Sequence, residues 1–161
     1  MFKKILVALD HSRADAVLLS YVRKLARLTH AEIVLLHVST GWKAQWQTDL
    51  NLTDSEEMRE DRAYLGVVEA ELQSEGFGVT ARHGMGKPAE EILKTAREEH
   101  CDLITMATHG HRLLHDVIYG ATITKVRHAA EIPVFLVRAS EEEARPDETP
   151  RSAPAKGAQW R

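Results

Sequence analysis

Cysteine is nearly absent: Cys101 is the only one among 161 residues. One thiol excludes an internal disulfide and fits a reducing compartment, which predicts a cytoplasmic location. A basic excess is also missing. The formal net charge is −3, which argues against nucleic acid as a main partner. No apolar run approaches the ~18 residues of a membrane span. The opening "MFKKILVALD" is too short for a signal-peptide core and no cleavage pattern follows it. Internal repeats are absent too. What is there is 43% hydrophobic and 28% charged residues, the composition of a globular domain with a sizeable core.

Strand-like and helix-like segments alternate. "KILVAL" (4–9) is a continuous apolar run, as in a strand covered on both faces. Ser12 and Asp15 have capping-box spacing, and Ala14, Val17, Leu18, Tyr21, Val22, Leu25 and Ala26 then form a helical stripe. "EIVLLHV" (32–38) is a second buried strand. "STGWKAQWQTDLN" (39–51) has no clear period and carries Trp42 and Trp46, as a loop or lid would. A second capping box, Thr53 with Glu56, opens a charged helix striped by Met58, Leu65, Val68 and Leu72, and Gly76 ends it.

"FGVTARH" (77–83) reads as an edge strand. Pro88, Glu90 and Glu91 suit the first turn of a helix, with Ala89, Ile92, Leu93 and Ala96 inward. "DLITMA" (102–107) is a fourth strand. A helix with Ile123, Val126 and Ala130 inward precedes the fifth, "PVFLVR" (133–138). Residues 139–161 are rich in Ala, Pro, Glu and Arg and poor in aliphatics. They read as a disordered tail after a single domain over 1–138.

The alternation implies an α/β, doubly wound, parallel five-stranded sheet. Ligands of such sheets bind beyond the carboxyl ends of the strands, where the strand order reverses. The expected site is therefore built from 10–12, 38–41, 84–87 and the stretch "ATHGHRLLHDVIYGAT" (107–122). In that stretch Gly110 permits close approach of a ligand. "GAT" at 120–122 is expected to open the last helix and offer free amides to an anion, with His111 and Arg112 adding positive charge. The bland alternative is a connector with glycine turns. His111 and His115 could share a helical face as zinc ligands do, but Gly110 breaks the regularity, and no metal is expected. No Walker-type glycine-lysine loop is present, and "GMGK" at 84–87 is too short for one. Cys101 reads as core filler.

The segments "KILVALDHS", "EIVLLHV", "GKPAEEILKTAREEHCDLITMATHG" (86–110) and "EIPVFLVR" resemble the universal stress protein family over residues 2–138. The resemblance implies a sheet of order 3-2-1-4-5, of the adenine nucleotide alpha-hydrolase-like kind. It further implies a homodimer through the exposed edge strand 133–138, and an adenine nucleotide, ATP or AMP, in the cleft, with Mg2+ accompanying ATP. Many members carry G-x2-G-x9-G-[S/T]. Here Ala107 stands at the first glycine, Gly110 and Gly120 keep the second and third, and Ala121 replaces the hydroxyl residue. Thr122 carries a hydroxyl one residue on, turned about 100° on a helix.

Carried over residue by residue, the resemblance puts Asp10 at ribose or adenine, with Ala8 beside it. The Val38 backbone falls at adenine, and Met106 on the apolar wall. Ala107, His109, Gly110, Arg112, Gly120, Ala121 and Thr122 line the phosphate side. The reading is a dimeric stress-response module that responds to an adenine nucleotide and acts on a protein partner. One alternative is an interaction module of the same fold with a degenerate nucleotide motif. A weaker one is a slow ATP hydrolase, with Asp10 and His109 polarising a water.

Overall fold

The computed structural model describes residues 1–39, 56–109 and 116–139. Among these the chain runs β1 (Lys4–Leu9), α1 (Ala14–Thr29), β2 (Glu32–Ser39), α2 (Glu56–Ser74), β3 (Val79–Met85), α3 (Pro88–Glu98), β4 (Leu103–His109), α4 (Asp116–Ala129) and β5 (Val134–Ala139). The sheet has five strands in the order β3-β2-β1-β4-β5, and every pairing is parallel. The strand order therefore reverses between β1 and β4, as the family resemblance implied.

The continuous apolar runs of β1 and β2 are explained by cover on both faces. Ile5, Val7, Ile33 and Leu35 pack under α1 and α2 with Leu18, Val22, Leu65 and Leu72. Leu6, Val34, Leu36, Ile104 and Met106 pack on the opposite face with Ile92, Ala96 and Val126. Burying one such aliphatic side chain contributes about 1.5–3 kcal/mol, so the central strands hold the fold. Buried Thr105 is satisfied by donating its hydroxyl to the Leu6 carbonyl at 3.0 Å.

Several ends differ from the sequence expectation. β3 and β4 each end two residues later, so Thr108 and His109 are strand residues and not loop. Tyr21, expected in the inward stripe of α1, is 45% exposed, and Leu19 is buried instead. Tyr21 lies instead beside the half-exposed Phe135 of β5 at the sheet edge, ring centroids 6.4 Å apart. The helix carrying Gly120 starts at Asp116, one turn before the expected start. Thr53, Trp42, Trp46 and the tail beyond Ala139 lie outside the described residues.

Glycines and histidines mark the reversals. Gly76 follows α2 at φ +90°, a conformation that suits a residue without Cβ. After α1 and α3 the left-handed position is taken by His30 (φ 57°) and His100 (φ 55°). Their amides, or the next ones, return to helix carbonyls: His30 N–H goes to Ala26 O, and Cys101 N–H to Ala96 O at 2.9 Å.

Candidate functional site

Three side chains form one row across the sheet at the carboxyl ends of the central strands. Ala8 is level with Leu36 of β2 on one side and with Met106 of β4 on the other. All three face the α3–α4 side. The small residue in the middle makes a dip between two long ones. The dip is walled by Pro88 and Ile92 of α3, Thr122 of α4, and Asp10, Val38 and Ala107 at the strand ends. It lies at the switch point between β1 and β4. Its enclosed part measures about 30 Å³, the space of one water, so a planar base has to lie in the open mouth. A larger groove of about 360 Å³ lies at the other end of the sheet, between Leu93, Ala96, Cys101 and Ile132. It is remote from the strand carboxyl ends.

The polar edge of the cleft follows from a break in the β1–β2 ladder. Glu32 N–H donates to Lys3 O, which fixes the parity: even residues of β2 point toward β1. By the same register, His11 N–H would be the amide to meet the Val38 carbonyl. That amide donates instead to Asp15 Oδ2 at 2.9 Å. The Val38 carbonyl therefore faces the cleft with no β1 amide to take it.

The turn that causes this is built by two aspartates. Asp10 Oδ1 accepts the Ser12 amide at 3.0 Å, a local turn that Asp favours. Asp15 Oδ1 accepts the Asp10 amide at 3.2 Å. The expected Ser12–Asp15 capping box thus takes another form. Ser12 Oγ accepts the Ala14 amide at 3.2 Å, and Asp15 reaches past Ser12 to the two residues before it. Asp15 is 2% exposed. Burial, and then the nearby Asp10 carboxylate, push its carboxyl up to about 7, against the hydrogen bond from Tyr64.

Behind the turn lies a polar cluster that the sequence reading did not single out. Asp61 of α2 accepts from His11 Nδ1 at 3.1 Å, from His37 Nε2 at 3.1 Å and from the Ser39 hydroxyl at 2.9 Å. His83 Nε2 lies 2.9 Å from Ser39 Oγ. Tyr64, one turn after Asp61, stacks on the His11 ring at 4.1 Å and donates to Asp15 Oδ2 at 2.7 Å. His37 and Ser39 were hidden from sequence reasoning because each stands alone in an apolar strand. The spacing of Asp61 and Tyr64 on one helix face was the available signal. Among the described residues, no group of three or more His, Cys, Asp or Glu is placed to hold a metal ion.

Of the residues expected at the site, the structure brings Ala8, Asp10, Val38, Met106, Ala107 and Thr122 to the cleft. Thr122 is buried and reaches the cleft despite its turn on the helix. Gly120 and Ala121 are exposed. They do not open the last helix. They are its fifth and sixth residues, counting from Asp116, so their amides fall past the four that a helix leaves free. His109 ends β4, level with Ala139. Gly110, Arg112, His111 and His115 lie outside the described residues.

The universal stress protein family model matches residues 1–138. The chain belongs to the universal stress protein family. Universal stress protein MJ0577 of Methanocaldococcus jannaschii is 27% identical, over 86% of this chain and 96% of its own. The solved MJ0577 structure superposes with a TM-score of 0.72, covering 87% of this chain and 98% of that one, at 28% identity. A universal stress protein from Archaeoglobus fulgidus, solved in complex with dAMP, shares the fold with a TM-score of 0.61 at 21% identity over 84% and 97% of the two chains. A family member from Arabidopsis thaliana, solved with AMP bound, gives 0.61 at 21% over 90% and 97%. The five-stranded 3-2-1-4-5 sheet is the fold these universal stress proteins share. No helix among the described residues is long and apolar enough to cross a membrane.

Proposed function

We propose that this universal stress protein binds an adenine nucleotide at the carboxyl ends of β1, β2 and β4, and acts as a cytoplasmic dimeric regulator in a stress response. One observation carries the nucleotide reading. The Val38 carbonyl, released from the β1 ladder, stands beside the dip at Ala8 between Leu36 and Met106. A carbonyl acceptor over an apolar trough suits the exocyclic amine and the faces of adenine. Asp10 at the rim suits the ribose hydroxyls. Family members solved with dAMP and AMP support the ligand class.

On the phosphate side, support comes from Gly120. A helix-interior glycine costs about 1 kcal/mol against alanine, and a Cβ added there would meet nothing within 4 Å. Among the described residues no packing partner asks for glycine, and a ligand passing close to the helix would. Gly110, Arg112, His109 and Ala107 complete that side in this reading, while the Ala121 amide, inside the helix, is not free to join them. ATP would bring Mg2+ with it, and hydrolysis would be slow for want of a fixed phosphate-loop lysine. The dimer would form through β5, which lies at the sheet edge with Phe135 and Tyr21 exposed beside each other.

Calorimetry with AMP, ADP and ATP tests the nucleotide reading. Binding at micromolar to millimolar nucleotide, with a matching rise in melting temperature, is expected. No heat and no thermal stabilisation at millimolar nucleotide would overturn it. Ala107 and Ala121, standing at the first glycine and the hydroxyl position of the motif, favour the second reading, an interaction module with a vestigial cleft acting through its dimer and tail. The same titration separates the two.

A further inference from the structure

His11 has a left-handed backbone, φ 60°. For a residue with a Cβ this costs about 1 kcal/mol or more, and it persists only where the surroundings impose it. Three contacts impose it here. The amide donates to Asp15 Oδ2 at 2.9 Å. The ring stacks on Tyr64, centroids 4.1 Å apart and planes 14° from parallel. Nδ1 meets Asp61 Oδ1 at 3.1 Å. Two of these partners belong to α2. The third, Asp15 Oδ2, is also the oxygen that receives the Tyr64 hydroxyl at 2.7 Å. Both the main chain and the side chain of His11 are thus tied to α2.

The same amide has a second possible acceptor. Released from Asp15, it is the one amide whose register matches the Val38 carbonyl. The rung would then close, and the polar edge of the cleft would be consumed. Two arrangements of one amide are therefore available, and the seating of α2 selects between them.

We infer that His11 is a positioning residue that couples the docking of α2 to the state of the cleft. With α2 seated, Asp61 and Tyr64 hold His11 left-handed, and the Val38 carbonyl is open. With α2 unseated, the His11 amide is free to close on Val38. Coupling is reciprocal, so a ligand that uses the Val38 carbonyl must tighten α2 onto the sheet. This last consequence rests on the nucleotide reading of the cleft. The clamp itself does not.

Residue-resolved amide exchange on the full chain tests the clamp without any ligand. In Asp61→Asn, the amide of Asp10, which shares the Asp15 carboxylate with that of His11 and lies some fifty residues away in sequence, should exchange about tenfold faster than in the wild type, the effect of losing one charge-assisted bond. In His11→Asn, which keeps a residue tolerant of left-handed φ, the amides of α2 around 61–64 should loosen by a similar factor. Wild-type protection at the turn in Asp61→Asn, or at α2 in His11→Asn, would overturn the coupling. A titration with AMP then reads the ligand side. In the wild type AMP should raise protection in α2. In His11→Asn it should bind about tenfold more weakly and leave α2 unchanged. An equal response of α2 in both proteins would also overturn the coupling. If AMP does not bind the wild type, the nucleotide reading falls, and the ligand-free exchange alone decides the clamp.

Discussion

His37 Nε2 lies 3.1 Å from Asp61 Oδ2, while Nδ1 of the same ring lies 3.1 Å from the Leu9 carbonyl. Both neighbours are oxygens, so the ring bridges a strand on one side and a helix on the other. The pair is buried, His37 at 6% and Asp61 at 7% exposure. It fastens α2 to β2 from inside, at the level where β2 runs out of partners on β1.

Asp61 should carry measurable stability. Burial raises its carboxyl, but hydrogen bonds from His11 and Ser39, with His37 beside them, outweigh burial and hold it below the usual carboxylate range. A depressed folded value contributes stability above the unfolded value, which is lost as pH falls through the folded one. Asp61→Asn should therefore unfold about 1–3 kcal/mol more easily at pH 7. The deficit should shrink once pH falls below the carboxylate range. Urea denaturation at several pH values reads both.

Asp15 should show the opposite sign. Its carboxyl is raised to about 7 from 3.8, by burial first and then by Asp10. The folded state then binds more protons than the unfolded one between those values, so this group costs stability as pH rises through them. The wild type should lose stability from pH 5 to pH 8 relative to Asp15→Asn, by about 1–3 kcal/mol. Parallel curves for the two proteins over that range would contradict the assignment.

Filling the dip separates the site from the fold. Ala8→Leu puts a long side chain between Leu36 and Met106, where the enclosed space is about 30 Å³. Affinity for AMP, measured by calorimetry, should fall at least about tenfold, while stability drops only by the ~1–3 kcal/mol of local overpacking. Unchanged affinity would place the base elsewhere.

Cys101 should be inert in the native protein. It is 7% exposed, and burial pushes its thiol up to about 11. The thiolate is the reactive form, so labelling with an aromatic disulfide at pH 8 should run at least ~100-fold slower in the native state than in urea.

Much of this was legible in the residues. Runs such as "KILVAL" and "EIVLLHV" have room for only one explanation in an alternating chain, a strand covered on both faces. Pro88 and Gly76 punctuated their elements as expected. Asp10, Val38, Ala107 and Thr122 were placed together by the rule that such sheets gather ligands at their carboxyl ends, and Ala8 and Met106 were added by the family resemblance. What failed was local. Tyr21 fits the helical period yet faces out, because period alone does not know where the sheet ends. Gly120 fits a helix start yet sits a turn inside, because Asp116 upstream is also a helix-opening residue. The cluster of His11, His37, Ser39, Asp61 and His83 draws on the turn after β1, on β2, β3 and α2, and no short window contains it.

The sequence by itself determined the strand–helix alternation, the doubly covered central strands and the end of the sheet where a site belongs, because these follow from hydrophobic period and chain direction. Only the tertiary structure decided where one amide goes. The choice of His11 N–H between Asp15 and Val38 depends on Tyr64 and Asp61, fifty residues on, arriving against the turn. A hydrogen-bond donor has one proton to give, and which acceptor receives it is settled by packing.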